Sequence, residues 1–387
     1  MTKERIDALR KAFSKNYEGV LITNLTNVRY LCGYTGSNGV LLVTRKKAVF
    51  FTDFRYQEQC EKELNGCAEI VIVQNKPPKE KVGKGKNKKT ENKMPTQNEV
   101  IFNVVNDLKV KNLGIEKSLE LSLYLDFVKH FKGEKLIPTE GLVEKLRQYK
   151  DEDEISSLQT AFDIADASLA MLIEDMKVGM TEIEVAALLE FYMKTNGSEQ
   201  PSFDTIVASG PNASCPHHQP TNRQIQVGDM VKIDFGATFN GYHSDMTRTF
   251  FIGKATKEFK KIYGIVAKAQ KDAIKAIKLG EECKKIDDIA RKVIEDAGYG
   301  ENFGHGLGHS FGCEIHESPS FNQRCKEKIE GNQTFTVEPG IYLPKWGGIR
   351  IEDSFLVRED GKVHKFTNFP NKLMELDLPV MEREPEE

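Results

Sequence analysis

The sequence has no apolar run that approaches the roughly 20 residues of a membrane span. Its first residues, MTKERIDALRKAF, form a charged amphipathic pattern without the apolar core of a signal peptide. The seven cysteines are an odd number without a tight spacing framework, which fits reduced thiols better than a secreted disulfide scaffold. No repeat of solenoid period is visible. We therefore expect a cytoplasmic protein without a membrane partner.

Length and composition favour two packed domains. The chain has 387 residues, and 39% of them are hydrophobic, which is ample for two cores. In the first part, short apolar strands such as GVLITN and AVFFTD alternate with helical patterns, which predicts an α/β layer. The second part opens with longer helices, one of them marked by a capping box at Thr181 and Glu184 and a stop at Gly197. Helices that cover antiparallel strands predict an α+β domain there.

One segment differs in charge from the rest of the chain. Residues 76–93, KPPKEKVGKGKNKKTENK, carry eight lysines and two glutamates, although the whole chain has a net charge of −3. This composition predicts a mobile insertion between a strand and a helix that begins near Gln97. Because no arginine or aromatic residue is interleaved with the lysines, we expect no nucleic-acid partner. Residues 379–387 are interpreted as an acidic, solvated tail.

Two aspartates lie in a predicted hairpin, MVKIDFGATFNGYHSDMTRTF. Asn240-Gly241 is the dipeptide most typical of a two-residue turn, and a turn there sets Asp234 opposite Thr247. Asp245 then lies on the same face, with the two aspartate backbones roughly 7 to 8 Å apart. Convergent carboxylates repel each other and need a shared proton or a cation. The alternative is an exposed hairpin with two unrelated surface aspartates.

Three histidines lie in the glycine-rich stretch NFGHGLGHSFGCEIHE. Its glycine density makes a helix unfavourable, so this is not the helical HExxH zinc signature. If the stretch is extended, His305 and His309 point to one face and His316 to the other, unless a bend intervenes. Read alone, a core histidine is the simpler interpretation of this segment.

Two further carboxylates follow in FTVEPGIYLPKWGGIRIEDSFLV. Glu338 comes just before a Pro-Gly turn signal, and Glu352 lies in an alternating pattern two residues from Arg350, so these two share a face of a predicted strand. An arginine–carboxylate pair is the simpler reading of the second motif. Taken together, the oxygen and nitrogen donors are those of a dinuclear metal site: Asp234, Asp245, His309, Glu338 and Glu352.

In this order, the motifs resemble the metal-dependent pita-bread peptidases, the family that contains aminopeptidase P and prolidase. The resemblance runs from about Val143 through LRQYKDEDEISSLQTAFDIAD, the aspartate hairpin, HGLGH, VEPGIY and IRIED. Earlier, NVRYLCGYTGSNGVLLV and FFTDFRY resemble a creatinase-type amino-terminal domain. The resemblance implies an α/β creatinase-like domain over 1–142 and an α+β pita-bread catalytic domain over 143–378.

The resemblance also implies a role for each ligand. Asp234 would hold one metal ion, Asp245 and Glu352 would bridge both ions, and His309 with Glu338 would complete the other. The expected cofactor is a pair of divalent ions, with manganese favoured and cobalt or zinc possible. A hydroxide shared between the ions would hydrolyse the peptide bond.

Other positions carry substrate and proton-transfer roles by the same resemblance. Glu338 is the candidate to move the proton of the attacking water, and His217 and His316 would bind the region of the scissile carbonyl. His305 would line the pocket. Arg350 is expected to anchor Glu352, to contact the substrate, or both.

Neighbouring residues are assigned lesser roles. His218 is interpreted as a neighbour of the functional His217, and His243 as a supporting or surface residue. Cys215 and Cys313 lack a paired CxxC spacing, so neither is expected to be essential.

The implied substrates are Xaa-Pro peptides, whose tertiary amide lacks the N–H donor that ordinary peptidases use. Aminopeptidase P is favoured over Xaa-Pro dipeptidase, because some dipeptidases have a carboxylate-binding arginine shortly after the HE motif, where this sequence has Ser318, Pro319 and Ser320. A homodimer is expected by analogy. The remaining alternative, a noncatalytic module that binds peptides or histones, is disfavoured by the complete ligand set.

Overall fold

Two units make up the chain, Met1–Arg147 and Gln148–Glu387. The computed structural model describes residues 2–74, 95–131 and 135–382. The predicted insertion at 76–93 therefore lies outside the described residues, as does the end of the acidic tail. The division falls slightly after the predicted boundary at 142/143. Arg147 belongs with the first unit because its buried guanidinium donates to Asn27 Oδ1 at 2.7 Å.

The described part of the first unit is a mixed sheet with helices. Its strands are β1 (Gly19–Ile22), β2 (Val40–Thr44), β3 (Ala48–Asp53), β4 (Glu69–Val73), β5 (Asn112–Glu116) and β6 (Lys135–Thr139). Its helices are α1 (Thr2–Lys11), α2 (Leu25–Cys32), α3 (Gln57–Glu63), α4 (Gln97–Asp107), α5 (Leu121–His130) and α6 (Glu144–Arg147). The sheet order is β4-β3-β2-β1-β5-β6, with parallel pairs at β3–β4, β1–β5 and β5–β6. The predicted α/β class is confirmed.

The second unit combines long helices with several small sheets. Its helices are α7 (Glu152–Asp175), α8 (Glu182–Thr195), α9 (Lys257–Ala276) and α10 (Cys283–Asp296). Its strands are β7 (Ile206–Ser209), β8 (Met230–Phe235), β9 (Thr238–Phe239), β10 (Tyr242–His243), β11 (Met246–Ile252), β12 (Gly308–Ser310), β13 (Glu317–Phe321), β14 (Gln333–Val337), β15 (Gly340–Leu343), β16 (Gly347–Arg350), β17 (Asp353–Val357), β18 (Val363–Lys365) and β19 (Glu375–Leu376).

Helices cover these sheets and bury their apolar faces. The largest sheet has the order β19-β11-β8-β7, and the antiparallel strands β14, β17 and β18 form another. Helices α7 and α8 contribute Leu169 and Leu189 to a core shared with Val231 of β8, whereas α9 and α10 bury a separate cluster against β14 and β17. The predicted α+β class is confirmed. Among the described residues, no helix has the length and apolar character that a membrane crossing requires.

The start of α8 agrees with its capping-box signature. The Thr181 hydroxyl accepts a hydrogen bond from the Glu184 backbone N–H at 3.1 Å, and the Glu184 carboxylate accepts one from the Thr181 backbone N–H at 2.6 Å. These reciprocal bonds satisfy two backbone donors that the first turn of a helix leaves unpaired. The helix ends at Thr195, shortly before Gly197.

Candidate metal centre

The aspartate hairpin has the predicted register. Asn240 and Gly241 both have positive φ, 51° and 77°, as a tight two-residue turn requires. Strands β8 and β11 are antiparallel, and Thr247 lies opposite Asp234. A Cβ added at Gly236 would come within 1.8 Å of the Ser244 carbonyl oxygen, so the close approach of the two strands here requires glycine. The prediction is confirmed, and it brings both aspartates to the same region.

Three of the carboxylates lie at strand ends. Asp245 precedes β11, and Glu338 follows β14. Glu352 lies between β16 and β17, so the prediction that it belongs to one continuous strand with Arg350 is wrong. The strand is interrupted because the chain changes partners there: Arg350 pairs with Gly340, whereas β17 pairs with β14.

The histidine-rich stretch bends. Strands β12 and β13 form an antiparallel pair, so the chain turns between them. Of the two alternatives that the sequence leaves open, the structure has the bend and not the fully extended stretch. As a result, the rings of His309 and His316 lie 4.4 Å apart in a T-shaped contact. His305 also lines the same cavity as these two, with its Nε2 2.9 Å from the Tyr342 hydroxyl.

All of the predicted metal ligands converge on one cavity of about 430 Å³. Ligand oxygens of Asp234, Asp245 and Glu352 lie within 4.8 Å of one another. His309 Nε2 lies 3.5 Å from Asp245 Oδ2 and 3.4 Å from Glu338 Oε1. The cavity also contains each predicted substrate residue: His217, His305, His316 and Arg350.

Two buried oxygens in this cluster support a cation there. Asp234 Oδ2 accepts a hydrogen bond from Arg350, and Glu352 Oε2 accepts one from the Thr247 hydroxyl at 2.8 Å. The other oxygen of each, Asp234 Oδ1 and Glu352 Oε1, is buried and has no hydrogen-bond donor in the described part of the chain. Buried anionic oxygens are costly unless a cation pairs with them. Carboxylates with one imidazole suit a hard or borderline divalent ion, so the residues fit a metal.

Burial and mutual repulsion shift the protonation of the cluster. The pKa values of Asp245 and Glu352 are raised well above their usual range, first by burial and then by neighbouring carboxylates. Burial, with Asp234 nearby, raises the pKa of Glu338 to about 7. Burial, with His316 nearby, lowers the pKa of His309 to about 4. The imidazole is therefore neutral at pH 7, which is the form that binds a metal.

These shifts predict how the stability of the metal-free protein changes with pH. Because the pKa of Glu338 is about 7 in the folded protein against 4.5 ordinarily, its contribution to stability is full below about pH 4.5 and is lost as the pH rises towards 7. His309, with a lowered pKa, acts in the opposite sense. Between about pH 4.5 and 7, we expect the free energy of unfolding of the unmodified protein to fall by up to about 3 kcal/mol relative to that of Glu338→Gln. Urea unfolding of both proteins after chelation measures this difference. If the two free energies changed in parallel with pH, the prediction would be contradicted.

Arg350 is buried in the wall of the cavity, with 2% exposure. It donates to the Asp234 carboxylate, to the Thr247 hydroxyl at 3.0 Å and to the Tyr342 hydroxyl at 2.9 Å. Arg350 is linked to Glu352 through Thr247, whose hydroxyl accepts from Arg350 and donates to the Glu352 carboxylate.

Sequence reasoning did not assign several residues of the site. Thr247 lies opposite Asp234 in the hairpin, and this position is the sequence signal for its contacts with Arg350 and Glu352. The sequence motifs assign no role to the other residues that line the cavity: Phe203, Asp204, Ile206, Pro216, Gln219, Gly306, Gly308 and Ile315.

Family models match both units. The model of metallopeptidase family M24 matches residues 156–359, and the creatinase/prolidase N-terminal domain model matches residues 5–149. The chain belongs to metallopeptidase family M24. The match confirms the resemblance to the pita-bread peptidases and makes this metallopeptidase a metal-dependent hydrolase, whose family implies divalent metal ions.

Known relatives of this metallopeptidase match along nearly the whole chain. An uncharacterized peptidase, YqhT of Bacillus subtilis, is 38% identical over 96% of this chain and 99% of its own length. The structure of an Xaa-Pro dipeptidase from Bacillus anthracis is similar with a TM-score of 0.88 and 39% identity, covering 97% of this chain and 100% of that one. The structure of an X-Pro aminopeptidase from Thermotoga maritima is similar with a TM-score of 0.82 and 35% identity, covering 92% of this chain and 97% of that one.

Proposed function

We propose that this metallopeptidase hydrolyses the bond between an amino-terminal residue and proline, in the manner of aminopeptidase P. The observation that carries the proposal is the convergence of four carboxylates and one imidazole on a single peptide-sized cavity. Two relatives of high similarity are named for Xaa-Pro substrates, which supports the choice of proline. The homodimer and the cytoplasmic location remain predictions, and light scattering of the purified protein tests the first.

The metal ligands proposed are those that converge on the cavity: Asp234, Asp245, His309, Glu338 and Glu352. An oxygen-rich set with one imidazole favours two manganese ions, and cobalt or zinc also suits it. When bound, such ions lower the pKa of a water molecule and stabilise the oxyanion of the tetrahedral intermediate.

Glu338 is the proposed proton carrier. Its side chain is 17% exposed, compared with 12% for Asp234 and 7% for Asp245, so it is the most accessible of these carboxylates. Its Oε1 accepts a hydrogen bond from the Thr336 hydroxyl at 3.3 Å, which fixes its orientation. Its accessibility and fixed orientation support Glu338 as the group that takes the proton of the attacking water and delivers it to the proline nitrogen.

The histidines of the cavity are proposed to bind the substrate. His217 and His316 are exposed and line the cavity, so both are accessible to the scissile carbonyl. Partial desolvation of its ring within the cavity, together with His217, lowers the pKa of His316, which keeps its imidazole neutral and able to donate to a carbonyl oxygen. Both ring nitrogens of His305 already have partners, the Gly306 carbonyl and the Tyr342 hydroxyl, so His305 shapes the wall.

The positive charges around the cavity bear on substrate length. Arg350 is the sole arginine or lysine among the described residues that line it, and its donors are engaged by Asp234, Thr247, Tyr342 and the Pro216 carbonyl. A dipeptide would bring a free proline carboxylate that needs a cationic partner. This favours longer peptides.

The position of Ser320 supports the same choice. Ser320 lies directly opposite His309 in the β12–β13 pair, at one of the positions after HE where some dipeptidases have an arginine. Side chains of opposite residues share a face, so a serine here offers a substrate carboxylate no positive charge. The Bacillus anthracis relative, named as a dipeptidase, favours the second candidate, an Xaa-Pro dipeptidase.

A comparison of Ala-Pro with Ala-Pro-Ala tests substrate length. We expect the manganese-loaded protein to release alanine from the tripeptide with a kcat/KM at least about tenfold above that for the dipeptide, because the dipeptide carboxylate is left without a charged partner. Liquid chromatography of the products measures both rates, with Ala-Ala-Ala as the proline-free control. Turnover confined to Ala-Pro would establish the dipeptidase instead. Equal rates before and after chelation would refute a metallopeptidase mechanism.

A further inference from the structure

Glu182, the first residue of α8, lies outside the cavity, and its side chain has 0% exposure. Its Oε1 accepts hydrogen bonds from the backbone N–H and the hydroxyl of Ser209, both at 2.7 Å. Its Oε2 accepts from the Thr221 N–H at 3.0 Å, from the Thr221 hydroxyl at 2.7 Å and from His218 Nε2 at 2.8 Å. The Asn212 amide lies within 3.3 Å of both oxygens. One carboxylate thus binds residues from both ends of a single stretch of chain.

That stretch, residues 209–221, contributes to the wall of the cavity. Pro216, His217 and Gln219 line it. The His218 ring is hydrogen-bonded to Glu182, whereas the neighbouring His217 lines the cavity, so the two adjacent histidines have different surroundings. The stretch therefore connects a buried carboxylate on one side to a proposed substrate-binding imidazole on the other.

Two further side chains, those of Lys232 and Arg350, hold the same stretch at other points. The buried Lys232 donates to the Cys215 carbonyl at 2.7 Å and to the Ala213 carbonyl at 3.3 Å, and Arg350 donates to the Pro216 carbonyl at 3.3 Å. These contacts fix residues 213–216. The contacts of Glu182 fix residues on both sides of them, so His217 lies between two anchored regions.

The carboxylate of Glu182 is suited to remain ionised in this position. Burial opposes ionisation, but hydrogen bonds from His218, Thr221 and Ser209 outweigh it and lower the pKa of Glu182 below its ordinary value. The first turn of α8 also favours a negative charge. A simple capping role does not account for these contacts, because Thr181 and Glu184 already form the capping box of the helix.

We propose that Glu182 is a positioning residue that holds residues 209–221 in the conformation that presents His217 to the cavity. The inference rests on the proposed function, which gives His217 a role in binding the scissile carbonyl. It assigns to His218 a role beyond that of a neighbour, as one of the donors through which Glu182 acts.

Glu182→Gln tests the proposal with minimal change of shape. A glutamine has one acceptor oxygen and one NH₂ group, so it must place a donor against either Ser209 or Thr221. We expect kcat/KM for Ala-Pro-Ala to fall about 10- to 100-fold, the scale found when partners that orient metal ligands are removed. Glu190→Gln on the same helix is the matched control and should leave kcat/KM unchanged.

A double-mutant cycle with His217→Ala separates positioning from general damage. If Glu182 acts through His217, the penalty of Glu182→Gln should shrink to less than about threefold in the His217→Ala background, because residues that act as a unit are not additive. An undiminished penalty in that background would overturn the proposal. His218→Ala provides a milder second variant, and we expect it to lower kcat/KM in the same direction.

Hydrogen exchange of the full-length, metal-free protein gives a readout that does not depend on activity. Glu182→Gln should speed exchange at least about tenfold in residues 209–221 while leaving β8 and β11 unchanged. Alkylation of the exposed Cys215, which lies within the stretch, should be faster in this variant as well. Unchanged exchange would overturn the proposal even if activity fell. If the unmodified protein failed to cleave Xaa-Pro bonds, the proposed function would be refuted and the exchange result alone would decide whether Glu182 holds the stretch.

Discussion

Replacing Asp245 or Glu352 with alanine is expected to lower metal-dependent kcat by at least about 1000-fold, the scale of losing a principal electrostatic stabiliser of the transition state. Both side chains are buried, and their ligand oxygens lie within 4.8 Å of each other and of Asp234. In the proposed site these two carboxylates would be shared between two ions, so the loss of either would disturb both. Steady-state kinetics with added manganese and elemental analysis of the purified variants measure the effect, and the fold should persist by circular dichroism.

In the metal-free protein, by contrast, replacing the Glu352 carboxylate should stabilise the fold. Because burial and neighbouring carboxylates raise the pKa of Glu352, its ionised form is disfavoured in the fold, and Glu352→Gln should increase the free energy of unfolding at pH 7 after chelation. Adding metal should then raise the melting temperature of the unmodified protein more than that of the variant. Asp360→Ala, at an exposed site, is the control. Near-normal turnover by Asp245→Ala or Glu352→Ala would refute the bridging assignment.

The second large effect is expected at Arg350. Arg350→Met removes the donor to Asp234 and leaves a buried carboxylate without its positive partner, which costs about 3–5 kcal/mol in the free energy of unfolding. Turnover should fall about 10- to 100-fold, because Asp234 loses its orientation. Urea unfolding of metal-free protein and kinetics of loaded protein measure the two losses.

Two variants sharpen the test of Arg350. Arg350→Lys should recover little, because a single ammonium cannot serve Asp234, Thr247 and Tyr342 in the planar arrangement of a guanidinium. Arg358→Met removes a surface ion pair with Glu152, whose side chain is 75% exposed, and should cost about 0–1 kcal/mol. Equal stability losses for Arg350→Met and Arg358→Met would contradict the structural role.

Local signals in the sequence were sufficient for the hairpin and for α8. Asn240 and Gly241 tolerate positive φ, so they fix a two-residue turn, and the turn fixes every pair along β8 and β11. Thr181 and Glu184 likewise form the capping box within four consecutive residues. In both cases the deciding contacts are between near neighbours in sequence.

Contacts between distant residues were not predictable in this way. The bend between His309 and His316 follows from the pairing of β12 with β13, and no turn dipeptide marks it. The partners of Glu182 lie 27 to 39 residues along the chain, in a stretch without regular periodicity. Arg350 reaches Asp234, 116 residues away, rather than the nearby Glu352. Such choices depend on which sheets the chain joins, and a pattern of residue types does not encode that.

The register of β8 and β11 limits how the length of this hairpin can vary. Side chains on a strand alternate between the two faces, so inserting or deleting one residue between Gly236 and Ser244 would turn Asp245 away from Asp234. Changing the loop by two residues would restore the facing. Only an even change in the number of residues between the two aspartates therefore keeps both carboxylates on one face. In a library of loop-length variants, those with even changes should bind metal and those with odd changes should not.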